Sequence, residues 1–158
     1  LLGSCVAVCL HDPVTRQGGM NHFLLPSKKS DFSGDTEVVL AGDYAMEVLV
    51  NALMKRGAAR KRLVAKAFGG GNVLSAIRTA IGERNARFAK EWLGREGIPL
   101  IASDFGGALS RKVVFVPHTG EAYCRRTPMS QALATVVAGE LDCEKEMLAA
   151  GARGIEYF

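Results

Sequence analysis

The opening stretch, LLGSCVAVCLHDPVTRQGGMNHFLLP, constrains the fold of this chain more than any other. Two apolar runs, Val6 to Leu10 and Met20 to Leu25, flank His11 to Gly19, where Asp12-Pro13 and Gly18-Gly19 are turn formers, so the stretch reads as a β-hairpin. A loop centred on Pro13 and Val14 pairs residues whose numbers sum to about 27. Cys5 is then opposite His22, with Cβ atoms roughly 4.5–5.5 Å apart. A slip of one residue would put the two side chains on opposite faces, whereas a slip of two leaves them diagonal neighbours on one face. A thiol and an imidazole so placed are a nucleophile beside a base.

A chain of 158 residues, 48% hydrophobic and 23% charged, is the size of one globular domain and can bury a proper core. Twenty Lys and Arg against sixteen acids leave a formal +4, which suits an acidic partner but is too weak for a nucleic-acid footprint. The four cysteines, Cys5, Cys9, Cys124 and Cys143, form no CxxC pair. They read as reduced thiols in a cytoplasmic protein, with no disulfide framework, metal or cofactor. No apolar run reaches the ~18 residues that span a bilayer. The chain enters Gly-Ser-Cys directly from Leu1 without an initiator Met, and further residues upstream are expected.

After the hairpin, Ser27 to Asp35 reads as an exposed flap or a solvated connection. A helix is expected from Asp43, with Ala45, Leu49, Ala52 and Leu53 on one stripe and Gly57 at C′. The basic run Lys55, Arg56, Arg60, Lys61 and Arg62 reads as a helix end plus a solvated turn, with steering of an acidic partner helix as the rival. An apolar strand, Leu63 to Phe68, leads into Gly69-Gly70-Gly71-Asn72. This loop can bring backbone N–H groups to a ligand but fits no nucleotide motif. A second helix is expected from about Glu83 to Glu96, with Ala86, Ala89, Trp92 and Leu93 inward. Arg84 and Asn85 stand in its first turn, either in solvent or bracing a neighbouring loop.

Ile98–Ser103, Lys112–Val116 and Ala122–Arg126 are expected as strands of an antiparallel meander, with Asp104 to Gly107 a turn. A C-terminal helix is expected within Met129 to Ala150. The fold class that follows is α+β, with mixed or antiparallel β-sheets packed with helices.

Cys5 and His22 are the candidate catalytic pair, with Gly3, Ser4 and Gly19 as oxyanion or substrate-loop candidates. On the residues alone the plainer reading, a buried hydrophobe and a satisfied polar side chain, is preferred. Cys9 reads as core, opposite about Gly18 in this register. Cys124 and Cys143 have no evident activating partner. His11 and His118 border turns and read as capping or solvated.

The segment LGSCVAVCLHDPVTRQGGMNHFLLP closely resembles the opening motif of the chemoreceptor glutamine deamidase family, CheD, which carries a Gly-Ser-Cys-Val nucleophile segment, an Asp-Pro turn and a Gly-Gly-x-x-His segment ending in Leu-Pro. AKAFGGGNVL, IGERNARF, EGIPLIASDFGG and RKVVFVPHTG resemble later blocks of that family in the same order, to about Arg126. The resemblance implies a deamidase domain over 1–126, with 127–158 as a helical tail packed on it, and a fold similar to toxin-type cysteine glutamine deamidases. It implies a cytoplasmic, cysteine-dependent hydrolase that converts glutamines on the cytoplasmic helices of chemoreceptors to glutamates, with Cys5 and His22 in the catalytic positions. The family's catalytic Thr, six positions before the Cys, would precede Leu1. The CheC phosphatase is a further possible partner, and a non-catalytic module binding receptor or CheC is the alternative; neither nucleic acid nor membrane insertion is implied.

Overall fold

The computed structural model of the chain describes residues 1–25, 35–72 and 76–128. Its centre is strand β1, Val6–Asp12, in which every residue is buried. Covering on both faces explains why this stretch is a continuous apolar run rather than an alternation of apolar and polar residues. Val6, Val8 and Leu10 point to one side and join the main core, while Ala7 and Cys9 point to the other and join a second, smaller cluster with Cys5.

Strands β2 (Gln17–Phe23), β3 (Val64–Gly69) and β4 (Leu100–Phe105) complete a sheet of order β2-β1-β3-β4. β1 is antiparallel to both neighbours, and β3 runs parallel to β4. Helices α1 (Asp35–Lys55) and α2 (Ala76–Arg95) cover the Val6 face. They contribute Met46, Leu49, Val50 and Leu53 from α1, and Ala86, Phe88, Ala89, Trp92 and Leu93 from α2. Phe88 meets Phe23 edge-on at 5.7 Å between ring centroids. A hairpin of β5 (Leu109–Val116) and β6 (Glu121–Pro128) covers the Ala7 face with Val113, Phe115, Ala122 and Cys124. The fold is α+β, with mixed and antiparallel sheets. Among the described residues no helix is long and apolar enough to cross a membrane.

The first hairpin forms, but its register is displaced by two residues from the expected one: His22 is opposite Ala7, and Met20 opposite Cys9. Asp12 is the cause. Its Oδ1 accepts from the N–H of Val14 at 2.9 Å and of Thr15 at 3.4 Å, an Asx turn that closes the loop one residue later than a turn centred on Pro13 and Val14. Arg16 completes the loop at φ 56°, so Gly18 and Gly19 lie inside β2 rather than in the turn. The expected three-stranded meander is also corrected. Ile98 onward follows a helical crossover and returns parallel to β3, and Gly106 and Gly107, both at positive φ, turn the chain off the sheet before β5. Of the three strands expected in the meander, β5 and β6 pair antiparallel and β4 does not join them.

Both helices are longer than expected, starting at Asp35 and Ala76 rather than Asp43 and Glu83. Gly57 is the C′ residue at φ +95°, and the Ala58 N–H reaches the Leu53 carbonyl at 3.1 Å. The Ser27–Asp35 flap, except Asp35, lies outside the described residues, as do Cys143 and the tail beyond Pro128.

Asp12 is fully buried and ties the far end of β1 to a single 3₁₀ turn, Arg60–Arg62. Arg62 Nη2 donates to Oδ2 at 2.7 Å, and the Ala59 N–H donates to it at 3.0 Å. The Arg62 guanidinium, with these N–H groups, holds the Asp12 carboxyl well below its ordinary value of 3.8 against the opposing effect of burial. A carboxylate with a depressed folded-state pKa stabilises the fold above the ordinary value, and that contribution is lost as pH falls below it. The melting temperature should therefore drop as pH is lowered from about 4 toward 2. Asp12→Asn should lower it at pH 7 and flatten the acid limb, measured by thermal unfolding across the pH series; an acid limb as steep as in the parent protein would remove Asp12 from this account.

Candidate active site

The Gly3-Ser4-Cys5 segment crosses from the hairpin layer to the sheet. At its start Leu2 exchanges both backbone hydrogen bonds with Arg111 of β5, at 2.7 and 2.8 Å. Its next three carbonyls then each accept a bond. The Gly71 N–H donates to Gly3 at 2.7 Å, Asn85 Nδ2 to Ser4 at 2.8 Å and the Gly70 N–H to Cys5 at 2.8 Å. Three consecutive peptide planes are thereby fixed by the triple-glycine loop and by α2.

That approach is why the loop is glycine. At Gly69, φ is +117° and a Cβ would overlap the Cys5 carbonyl oxygen. From the other side, a Cβ on Gly82 of α2 would sit 2.6 and 2.7 Å from the carbonyl oxygens of Gly70 and Gly71. The N–H groups of Gly70 and Gly71 serve the Cys5 segment, a use that the lack of any nucleotide motif left open. Arg84 and Asn85 brace a loop, as one of their two readings had it: Arg84 Nη2 donates to the Leu25 carbonyl at 2.9 Å, and Asn85 Oδ1 accepts from the Leu25 N–H at 3.0 Å.

Cys5 is buried at the entrance to β1 and packs with Leu2, Ala7, Cys9, Leu24 and Phe68. His22 is exposed on β2, opposite Ala7. Residues directly opposite in an antiparallel pair share a face, so His22 stands on the face that carries Ala7 and Cys5, as a diagonal neighbour of Cys5 rather than its partner. The β5–β6 hairpin covers β1 there but leaves Met20 and His22 of β2 toward solvent. Gly3 and Ser4 adjoin Cys5 and are buried. Gly19 is elsewhere. It is opposite Leu10 on the helix-covered face, where a Cβ would meet Leu49 Cδ1 at 2.8 Å, so its small size serves the packing of α1.

The other described thiols are poorly suited to ionise. Burial pushes Cys9 up to about 12, only partly offset by Lys66 on the neighbouring strand. Burial, followed by the charge of Asp104, also raises Cys124, whose Sγ lies 3.6 Å from Asp104 Oδ2. Asp104, the penultimate residue of β4, is the hub of an ion network. Arg126 binds it through Nε at 2.8 Å and Nη2 at 3.0 Å, and the buried Arg111 through Nη2 at 2.9 Å. Arg126 first, and Arg111 after it, hold the Asp104 carboxyl well below the usual range. Arg111 also donates to the Gly106 and Leu109 carbonyls, so it secures both the turn after β4 and the strand on which Leu2 docks. His11, within β1, has its Nδ1 3.1 Å from the Pro117 carbonyl. Among the described residues no three of His, Cys, Asp and Glu stand together as a metal-ligand group.

Two glycines separate contact from conformational freedom. Gly69→Ala should destabilise the fold by at least about 2 kcal/mol, from a strained φ and a displaced Cys5 carbonyl. Gly94→Ala, in α2 with no atom within 4 Å of its Cβ position, should stabilise it by about 0.5 kcal/mol. Urea unfolding of both variants measures the difference, and equal effects would show that the glycine loop is not tight.

A model of the family described as CheD chemotactic sensory transduction matches residues 24–126, from the end of the first hairpin to β6. A protein of Dechloromonas aromatica named "Probable chemoreceptor glutamine deamidase CheD 2" is 57% identical over 142 residues, which cover 89% of this chain and 72% of that protein. "Probable chemoreceptor glutamine deamidase CheD 1" of Burkholderia thailandensis is 51% identical over 128 residues, covering 80% of this chain and 55% of that protein. A Xanthomonas campestris protein named "Probable chemoreceptor glutamine deamidase CheD" is 52% identical over 128 residues, 80% of this chain and 63% of its own length. The chain thus spans between about half and three quarters of these relatives. With the family model matching 24–126 of its 158 residues and a relative 57% identical across most of it, the chain belongs to the CheD family.

Proposed function

We propose that this chain hydrolyses glutamine side-chain amides on the cytoplasmic helices of chemoreceptors to glutamates, releasing ammonia, with Cys5 as nucleophile and His22 as its base. The observation that supports the reading is that Cys5, buried on a segment held at three successive carbonyls, and the solvent-exposed His22, opposite Ala7, fall on one face of the sheet. The names of the relatives supply the reaction class and substrate. A cytoplasmic location follows from that substrate.

In this mechanism His22 takes the Cys5 proton and the thiolate attacks the glutamine side-chain carbonyl carbon. N–H groups around Ser4 and Cys5 hold the oxyanion. Their orientation is preset, because the carbonyls of the same peptide planes are already bound. His22 returns the proton to the leaving ammonia. It then activates water, which cleaves the thioester to glutamate and restores the thiol. Each turnover adds one negative charge to a receptor helix.

Cys5→Ala should abolish ammonia release from a receptor fragment. His22→Gln should lower it by about 100-fold or more, while Cys9→Ser and Cys124→Ser should keep most of it. Ammonia release by Cys5→Ala, with folding verified by circular dichroism, would end the proposal. Receptor or CheC binding by the parent chain without ammonia release would make it a binding module, and incorporation of an added amine would make it a transamidase.

A further inference from the structure

We infer that Asn85 is a positioning residue that sets the nucleophile against its base, an inference that rests on the reading of Cys5 and His22 as the catalytic pair. The β1–β2 ladder does not do this alone. Its last pair is Val6 with Phe23, and Cys5 lies beyond it. Asn85 spans the gap. Its Nδ2 donates to the carbonyl of Ser4, one residue before Cys5, at 2.8 Å. Its Oδ1 accepts from the N–H of Leu25, three residues after His22, at 3.0 Å.

The side chain is 0% exposed, so solvent does not supply a substitute partner for either bond. Only a terminal amide offers a donor and an acceptor side by side in this direction. Aspartate lacks the donor and sets a carboxylate oxygen against the Ser4 carbonyl, and alanine lacks both groups. Arg84, the preceding residue of α2, takes the Leu25 carbonyl at 2.9 Å, so Leu25 is held on both its polar groups by adjacent residues of one helical turn. α2 is thereby a common reference for both halves of the site: Asn85 binds the Cys5 segment and Leu25, two residues past the His22 strand, and Gly82 seats the loop that binds the same segment.

A residue acting this way should affect the chemistry more than substrate binding, because misplacing reacting groups by about 1 Å costs roughly 100-fold in rate. The test uses the full chain with Cys9, Cys124 and Cys143 replaced by serine, leaving Cys5 as the sole thiol, and compares Asn85, Asn85→Asp and Asn85→Ala. Two quantities are read: the pH profile of Cys5 alkylation by iodoacetamide, and steady-state ammonia release from a receptor fragment. With Asn85 present, alkylation should titrate well below the ordinary thiol value of about 8.5. In both variants the profile should move up toward that value, and kcat should fall about 100-fold with KM within about threefold. A merely structural role would lower the melting temperature and leave the alkylation profile in place. Folded variants with the parent's profile and kcat overturn the inference and leave the Cys5–His22 reading intact, and failure of both variants to fold overturns it in favour of a structural role. An ordinary thiol profile in the Asn85 protein itself removes the catalytic pair, and the positioning role with it.

Discussion

Burial of β1 on both faces is the constraint on which the rest of the structure depends. A strand with no solvent-facing side must have its backbone groups paired laterally, which β2 and β3 do, and must be covered above and below, which the helices and the β5–β6 hairpin do. Each of Val6, Val8 and Leu10 gains about 1.5–3 kcal/mol from leaving water. The half-exposed Arg95–Asp43 pair on the helical face adds at most about 1 kcal/mol. The covering layers are therefore held by apolar contact and not by their surface charges. One strand serves as core on its even-numbered side and as floor of the candidate site on its odd-numbered side.

This arrangement separates rigidity from access. Cys5 lies where the hairpin, the glycine loop and α2 converge, and its segment has little freedom once the Gly3, Ser4 and Cys5 carbonyls are bound. His22 lies on an outer strand that the hairpin leaves partly uncovered. Cys9, on the same face, is a buried thiol whose ionisation is opposed by that burial. Cys124 is less buried, yet the Asp104 carboxylate beside it opposes a thiolate as well.

The elements most legible in the sequence were those with strong local periodicity. The first hairpin, the inward residues Ala86, Ala89, Trp92 and Leu93, and the Gly57 stop all follow from spacing that depends on few long-range contacts. The errors fall where a distant contact overrides a local rule. Gly18-Gly19 has turn composition but is in a strand, because Asp12 closes the turn around Val14 and Thr15 and because Gly19 must clear Leu49. The second helix was expected from about Glu83 but starts at Ala76, with Gly82 in its interior packed on Gly70 and Gly71. The parallel β3–β4 pair was hidden for the same reason. Sequence neighbours in the strand-rich second half looked like one meander, and the strand partner of β4 is more than thirty residues upstream. For the site, residue types were legible and register was not, since a two-residue displacement changes which residue is opposite His22 without changing its face.

Part of the basic run has a structural role. Arg60 is held by Glu47 of α1 at 3.0 Å and by Glu96, the residue after α2, and Arg62 by Asp12, so two charges of the run join the 3₁₀ turn to α1, the end of α2 and β1. The turn also lies at the wrong end. Asp12 is the last of the seven residues of β1, and Cys5 precedes the first, a separation of about 20 Å along the strand. At physiological ionic strength the screening length is about 8 Å, shorter than that separation. Arg60 and Arg62 therefore act in the fold as anchors of the 3₁₀ turn.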